Sequence, residues 1–193
     1  MRSPPSLKGL IATYLARALN MTPAALYERQ RALVRAGLIK GEEGRGPGSG
    51  VRATPHSVAM LLIAVLAADS LSEIEESTKR FAGLKSGSGI CPITGKKTFV
   101  SAVAAILASP QLSGAAHTIT VNRGGPFGPA AHIDFIMPDD KLSSGFAGAK
   151  REQRGLLDVE ASLRGSPLTA LADLMAPWCA DLDKERLPSE LDK

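Results

Sequence analysis

Leu15-Ala16-Arg17-Ala18-Leu19-Asn20-Met21-Thr22-Pro23-Ala24-Ala25-Leu26-Tyr27-Glu28-Arg29-Gln30-Arg31-Ala32-Leu33-Val34-Arg35-Ala36-Gly37-Leu38-Ile39 contains two helical patterns with almost nothing between them. The first opens at Ser6 and places Leu7, Leu10, Ile11, Tyr14, Leu15, Ala18 and Leu19 on one face. Asn20-Met21 interrupts it. Thr22 then offers a side-chain oxygen for an N-cap, and Pro23 suits a first helical position. The second pattern runs to about Ala36, where Gly37 supplies a C-terminal stop. Two helices joined by a tight turn are the expectation.

Outward from this pair, Leu38-Ile39-Lys40 and Val51-Arg52-Ala53 bracket a glycine-rich tip from Gly41 to Gly50, the pattern of a two-stranded ribbon with a flexible loop. Thr54-Pro55 repeats the cap logic and begins a helix to about Ala68. Its Val58, Met60, Leu61, Leu62, Ile63, Val65 and Leu66 leave almost no polar face, which predicts burial. Ser72 and Glu75 have capping-box spacing for a further helix ending near Phe81.

The Ser and Gly alternation from Lys85 to Gly89 reads as a linker. Beyond it the pattern predicts a helix from Thr98 to Ala108, then alternating runs at His117–Arg123 and Ala131–Met137 that form a hairpin with one buried face. Asp139 to Gly165 is polar and glycine-rich, and mobility is expected there. Ser166-Pro167 starts a short helix to about Met175, and the tail from Asp181 is acidic. The expected fold is α+β and mostly helical: a DNA-binding unit over 6–83, a linker over 84–97, a small α+β unit over 98–178 and an acidic tail over 179–193.

The stretch from Leu15 to Ile39 resembles the winged helix-turn-helix domains of bacterial transcription regulators, including the MarR type. There a capped recognition helix follows a support helix, and a step like Ala36-Gly37-Leu38-Ile39 leads into the wing. The Thr54-Pro55 helix and Ser70-Leu71-Ser72-Glu73-Ile74 resemble the two helices after the wing in MerR-type regulators. The resemblance spans about residues 6–83. It implies a recognition helix in the major groove of duplex DNA, and Leu26, Leu33 and Ala18 would seat that helix. Thr22, Ala24, Ala25, Tyr27, Glu28 and Arg31 would then face outward, with Arg35 further along, and Arg45 and Arg52 would belong to the wing. Arg31 suits a guanine edge or a phosphate, Glu28 a cytosine amine, and Thr22 a phosphate. Gln30 departs from the pattern by standing where such helices bury Leu.

Charge placement agrees. Residues 1–55 hold nine basic side chains against three acidic ones, whereas residues 156–193 hold four against eight. A basic head with an acidic tail suits a polyanion bound at one end.

Other chemistries find little support. Gly44-Arg45-Gly46-Pro47-Gly48-Ser49-Gly50 lacks the Gly-Lys-Ser/Thr ending of a phosphate-binding loop, and Ile90-Cys91-Pro92-Ile93-Thr94-Gly95-Lys96-Lys97-Thr98 lacks its first glycine and its hydroxyl. Cys91 and Cys179 are too far apart to suggest a disulfide framework or a paired-thiolate metal site. Cys91 beside Lys96 and Lys97 reads as a loop thiol, since no oriented base can be placed beside it. His117, His132 and Asp134 can meet across the hairpin, where surface pairs are commoner than metal sites. No catalytic residue, metal or cofactor is therefore expected. Met1–Pro5 lacks the apolar stretch of a signal peptide, and Val58–Ala68 falls short of the roughly 20 residues that span a bilayer, so a cytoplasmic location without a membrane role is expected.

The expected function is sequence-specific regulation of transcription. The C-terminal unit would bind a ligand, another transcription protein or a second copy in a homodimer. Two alternatives remain open: a phage or mobile-element DNA-packaging adaptor of the small-terminase kind, and a protein-interaction module that uses the same shape without DNA.

Overall fold

A computed structural model describes residues 5–41, 50–124, 130–138, 140–148 and 159–185. The fold is α+β. Helix α1 (Leu7–Leu10) begins at Ser6, whose hydroxyl accepts from the Gly9 amide at 3.0 Å. It passes through a π-helical segment at Ile11–Leu15 into α2 (Ala16–Ala18). Asn20 makes the turn at φ 50°, a left-handed conformation that Asn tolerates better than most residues. Helix α3 (Pro23–Arg35) follows, with Thr22 Oγ1 accepting from the Ala25 amide at 3.2 Å.

Gly37, at φ 68°, closes α3 by sending the Leu38 and Ile39 amides back to the Leu33 carbonyl. That use of the backbone corrects the expected ribbon. Residues 38–40 form no ladder, and the return arm pairs elsewhere: Leu7 N–H donates to Val51 O at 2.7 Å, Ala53 N–H donates to Pro5 O at 2.9 Å, and Ser6 bridges Arg52. The tip of the expected wing, including Arg45, lies outside the described residues.

Helix α4 (Pro55–Ala67) is the spine of the molecule. Thr54 and Ser57 cap it reciprocally, and every residue from Ser57 to Ala64 is buried. It packs against α3, α5, α6, β2 and β5. The next helix starts earlier than its expected Ser72–Glu75 box. Ser70 and Glu73 form the box instead, a 3-10 turn spans Leu71–Glu73, and α5 covers Ile74–Ala82.

The segment expected as a linker belongs to the sheet. Lys85–Ser86 is strand β1, with Leu84, Ser86 and Cys91 buried around it. Helix α6 (Phe99–Ala108) ends at Ser109, which caps a new helix, α7 (Pro110–Ala115), so Pro110 starts a helix as well as ending one. The expected hairpin is present as β2 (Ala116–Asn122) and β3 (Ala130–Ile136), paired Thr118↔Asp134 through Asn122↔Ala130.

The stretch expected to be mobile holds two more strands, β4 (Lys141–Ala147) and β5 (Glu160–Arg164). The antiparallel sheet therefore has five strands in the order β1-β4-β3-β2-β5. Ile119, Val121, Ala131, Ile133, Phe135, Phe146 and Leu163 form its buried face.

Helix α8 (Gly165–Glu185) runs well past the expected end at Met175. Pro177 cannot donate to the Asp173 carbonyl, but both residues are exposed and water can serve that oxygen. At the start of α8 a Cβ on Gly165 would lie 1.9 Å from the Ala116 carbonyl oxygen, so only glycine fits there. Buried apolar side chains from Leu7 to Cys179 form one hydrophobic cluster.

Candidate nucleic-acid interface

Leu26, Gln30 and Leu33 turn α3 inward and leave Ala24, Tyr27, Glu28, Arg31 and Arg35 on the opposite side. These positions follow the three- and four-residue steps of one helical stripe. Thr22, Ala24, Arg31 and Arg35 are exposed, whereas Ala25, Tyr27 and Glu28 are half-buried. Thr22 is already engaged as the cap.

Arg31 Nη1 donates to Glu28 Oε1 at 3.0 Å, with 56% of the Arg31 side chain exposed. The remaining guanidinium N–H groups are available to an acceptor. An exposed pair of this kind contributes little stability.

The stripe is broader than the sequence suggests. Lys8 Nζ, on the first turn of α1, sits 5.2 Å from the centre of the Tyr27 ring. The bridge from Ser6 to Arg52 brings the return arm to the same end of α1. Lys8 and Tyr27 thus meet at one edge of α3, and the backbone of Arg52 runs beside the start of α1. Lys8 could be read from sequence only as one more exposed basic residue, because its partner lies 19 positions away.

Gln30 is buried at 5% exposure, and its Oε1 has no hydrogen-bond partner. Arg29, beside it, reaches sideways to the Asp69 carbonyl at 3.4 Å. This fastens α3 to the segment after α4.

Elsewhere the geometry is less suited to chemistry. His132 stands opposite Thr120 and Asp134 opposite Thr118, while His117 occupies a register break in β2. His117, Asp134, Lys141 and Ser143 line an open pocket of about 250 Å³, and no group of three metal-ligating side chains occurs among the described residues. Cys91 is fully buried. Burial pushes its thiol pKa up, but hydrogen bonds from Ser144, Thr94 and Ile93 outweigh that and hold it below the ordinary thiol value. Among the described residues no helix is long and apolar enough to cross a membrane.

No family model, curated protein or solved structure matches the chain.

Proposed function

We propose that this chain is a sequence-specific regulator of transcription that binds duplex DNA by laying α3 in the major groove. The observation that carries this reading is the stripe of Ala24, Tyr27, Glu28, Arg31 and Arg35, widened by Lys8. Ala24, Arg31 and Arg35 are exposed and Tyr27 and Glu28 half-buried, and the three cations Lys8, Arg31 and Arg35 outnumber the one carboxylate, which suits phosphates and base edges. Helix α3 is fastened behind by Leu26, Leu33 and Arg29, so the stripe is held on a rigid support.

Arg31 is the base-reading candidate and Glu28 its ion-pair partner. Lys8, Arg52 and Arg45 supply phosphate contacts that do not depend on sequence.

Fluorescence anisotropy with labelled duplexes over a salt series tests the proposal. Binding should weaken steeply as salt rises, because each phosphate contact releases counterions. Arg31→Ala should narrow the gap between preferred and random duplexes, whereas Lys8→Ala and Arg45→Ala should weaken both alike. Absence of binding at low salt overturns the proposal. Wild-type behaviour by all three variants overturns the assignment of the contacting surface.

A further inference from the structure

Among the described residues, strand β5 is the outer strand of the sheet and pairs only with β2. The register of that pair continues to Arg123, whose amide donates to the Val159 carbonyl at 2.8 Å. Bonded and non-bonded positions alternate along an antiparallel ladder. Val159, Ala161 and Leu163 therefore aim their main-chain groups at β2, and Glu160, Ser162 and Arg164 aim theirs away from the sheet. These last three residues are exposed, and no other strand among the described residues pairs with that edge.

The sequence of this open edge, Glu160-Ala161-Ser162-Leu163-Arg164, is complementary to its own reverse. A second copy laid antiparallel about an axis through Ser162 sets Ser162 opposite Ser162, Glu160 opposite Arg164, and Ala161 opposite Leu163. The outward main-chain groups fall at Glu160, Ser162 and Arg164, so the Ser162 pair exchanges both of its hydrogen bonds, and at each end the Arg164 N–H faces the Glu160 carbonyl while the Arg164 carbonyl opens α8. The side chains of these three residues share the open face of the sheet, where each carboxylate meets a guanidinium directly across the strand. On the helix-covered face Leu163, 8% exposed, gains the partner's Ala161 beside it.

We propose that two copies of this chain join edge to edge through β5, giving one continuous sheet across a two-fold dimer. Charge complementarity selects a second copy over a different partner, since the edge supplies both members of each ion pair itself. A strand edge that no other described strand covers invites such addition. The dimer stands independently of the DNA reading. Where both hold, it presents two α3 helices to a two-fold DNA site.

Sedimentation of the full chain over a concentration series, without DNA, tests the dimer. The wild type should pass from monomer to dimer. Glu160→Arg sets Arg against Arg, and Arg164→Glu sets Glu against Glu, at both ends of the paired strands. Each change should weaken association by about tenfold or more. An equimolar mixture of the two variants restores both ion pairs and should dimerise like the wild type. The doubly reversed E160R/R164E chain should do the same, and it keeps composition and net charge unchanged. A wild type that stays monomeric at every concentration overturns the proposal. A dimer indifferent to the single reversals does so too, as does a doubly reversed chain that stays monomeric.

Discussion

Gln30 carries a cost in this fold. Its amide oxygen is buried on α3 with no hydrogen-bond partner, and an unsatisfied buried polar group costs about 1–3 kcal/mol. Leucine is apolar and of similar volume, so Gln30→Leu should raise the unfolding free energy by about 1–2 kcal/mol in urea denaturation. The outward stripe should be unaffected, so the DNA binding proposed for it should not change. A variant less stable than the wild type would show that the amide has a partner worth keeping. The residue was legible from sequence as a departure, because its neighbours Leu26 and Leu33 fix the phase of the inward face. Lys8 was not legible, because its contact with Tyr27 depends on how two helices cross.

Caps account for most of what the sequence disclosed about the helices and turns. Thr22, Thr54 and Thr98 each accept an amide three residues on, and each helix starts where its threonine implies. Signals that needed a distant partner were misleading. Lys85–Gly89 is rich in Ser and Gly, yet β4 holds Lys85 and Ser86 in the sheet. Val51–Ala53 has strand character, but its partner is Pro5–Leu7 and not the nearer Leu38–Lys40.

The first helix is also held from a distance. Tyr14, in the π-helical segment, donates its hydroxyl to the Pro167 carbonyl of α8 at 2.8 Å. Burial raises its pKa above the ordinary 10.0. The unfolded chain therefore loses this proton at lower pH than the folded one. Stability from keeping Tyr14 neutral is fully present below about pH 10 and is lost as pH rises through the folded pKa. Tyr14→Phe should cost about 1 kcal/mol at neutral pH and reduce the alkaline loss. Urea midpoints measured from pH 7 to pH 11 check both, and an equal alkaline decline in the variant would assign that decline to other groups. At the other end of this contact, Gly165→Ala should destabilise by about 3 kcal/mol or more, since the added carbon collides with the Ala116 carbonyl. Thermal unfolding would detect that directly, and a shift of only a degree or two would mean β2 moves aside.

The fold joins its N-terminal helices to its sheet through one shared core and through Arg123. Arg123 Nε donates to the Leu66 carbonyl in the last turn of α4 at 2.7 Å, and its guanidinium pairs with Asp69. Asp69 is also where Arg29 of α3 is fastened, so a single exposed loop receives cations from α3 and from the sheet. A cation at the end of α4 also meets the negative end of the helix dipole. With α4 packed on α3, α6 and β2, neither half buries its apolar surface alone. Unfolding should therefore be one cooperative event. Trp178, the single tryptophan, lies on α8, so its fluorescence reports the C-terminal part, while far-UV circular dichroism averages all the helices. The two urea transitions should coincide. Arg123→Met should shift both together to lower urea by about 1.5–3 kcal/mol, the value of hydrogen bonds from a charged donor. If the curves separate, in the wild type or in the variant, the N-terminal helices and the sheet fold as independent units and Arg123 joins two bodies within which stability is local.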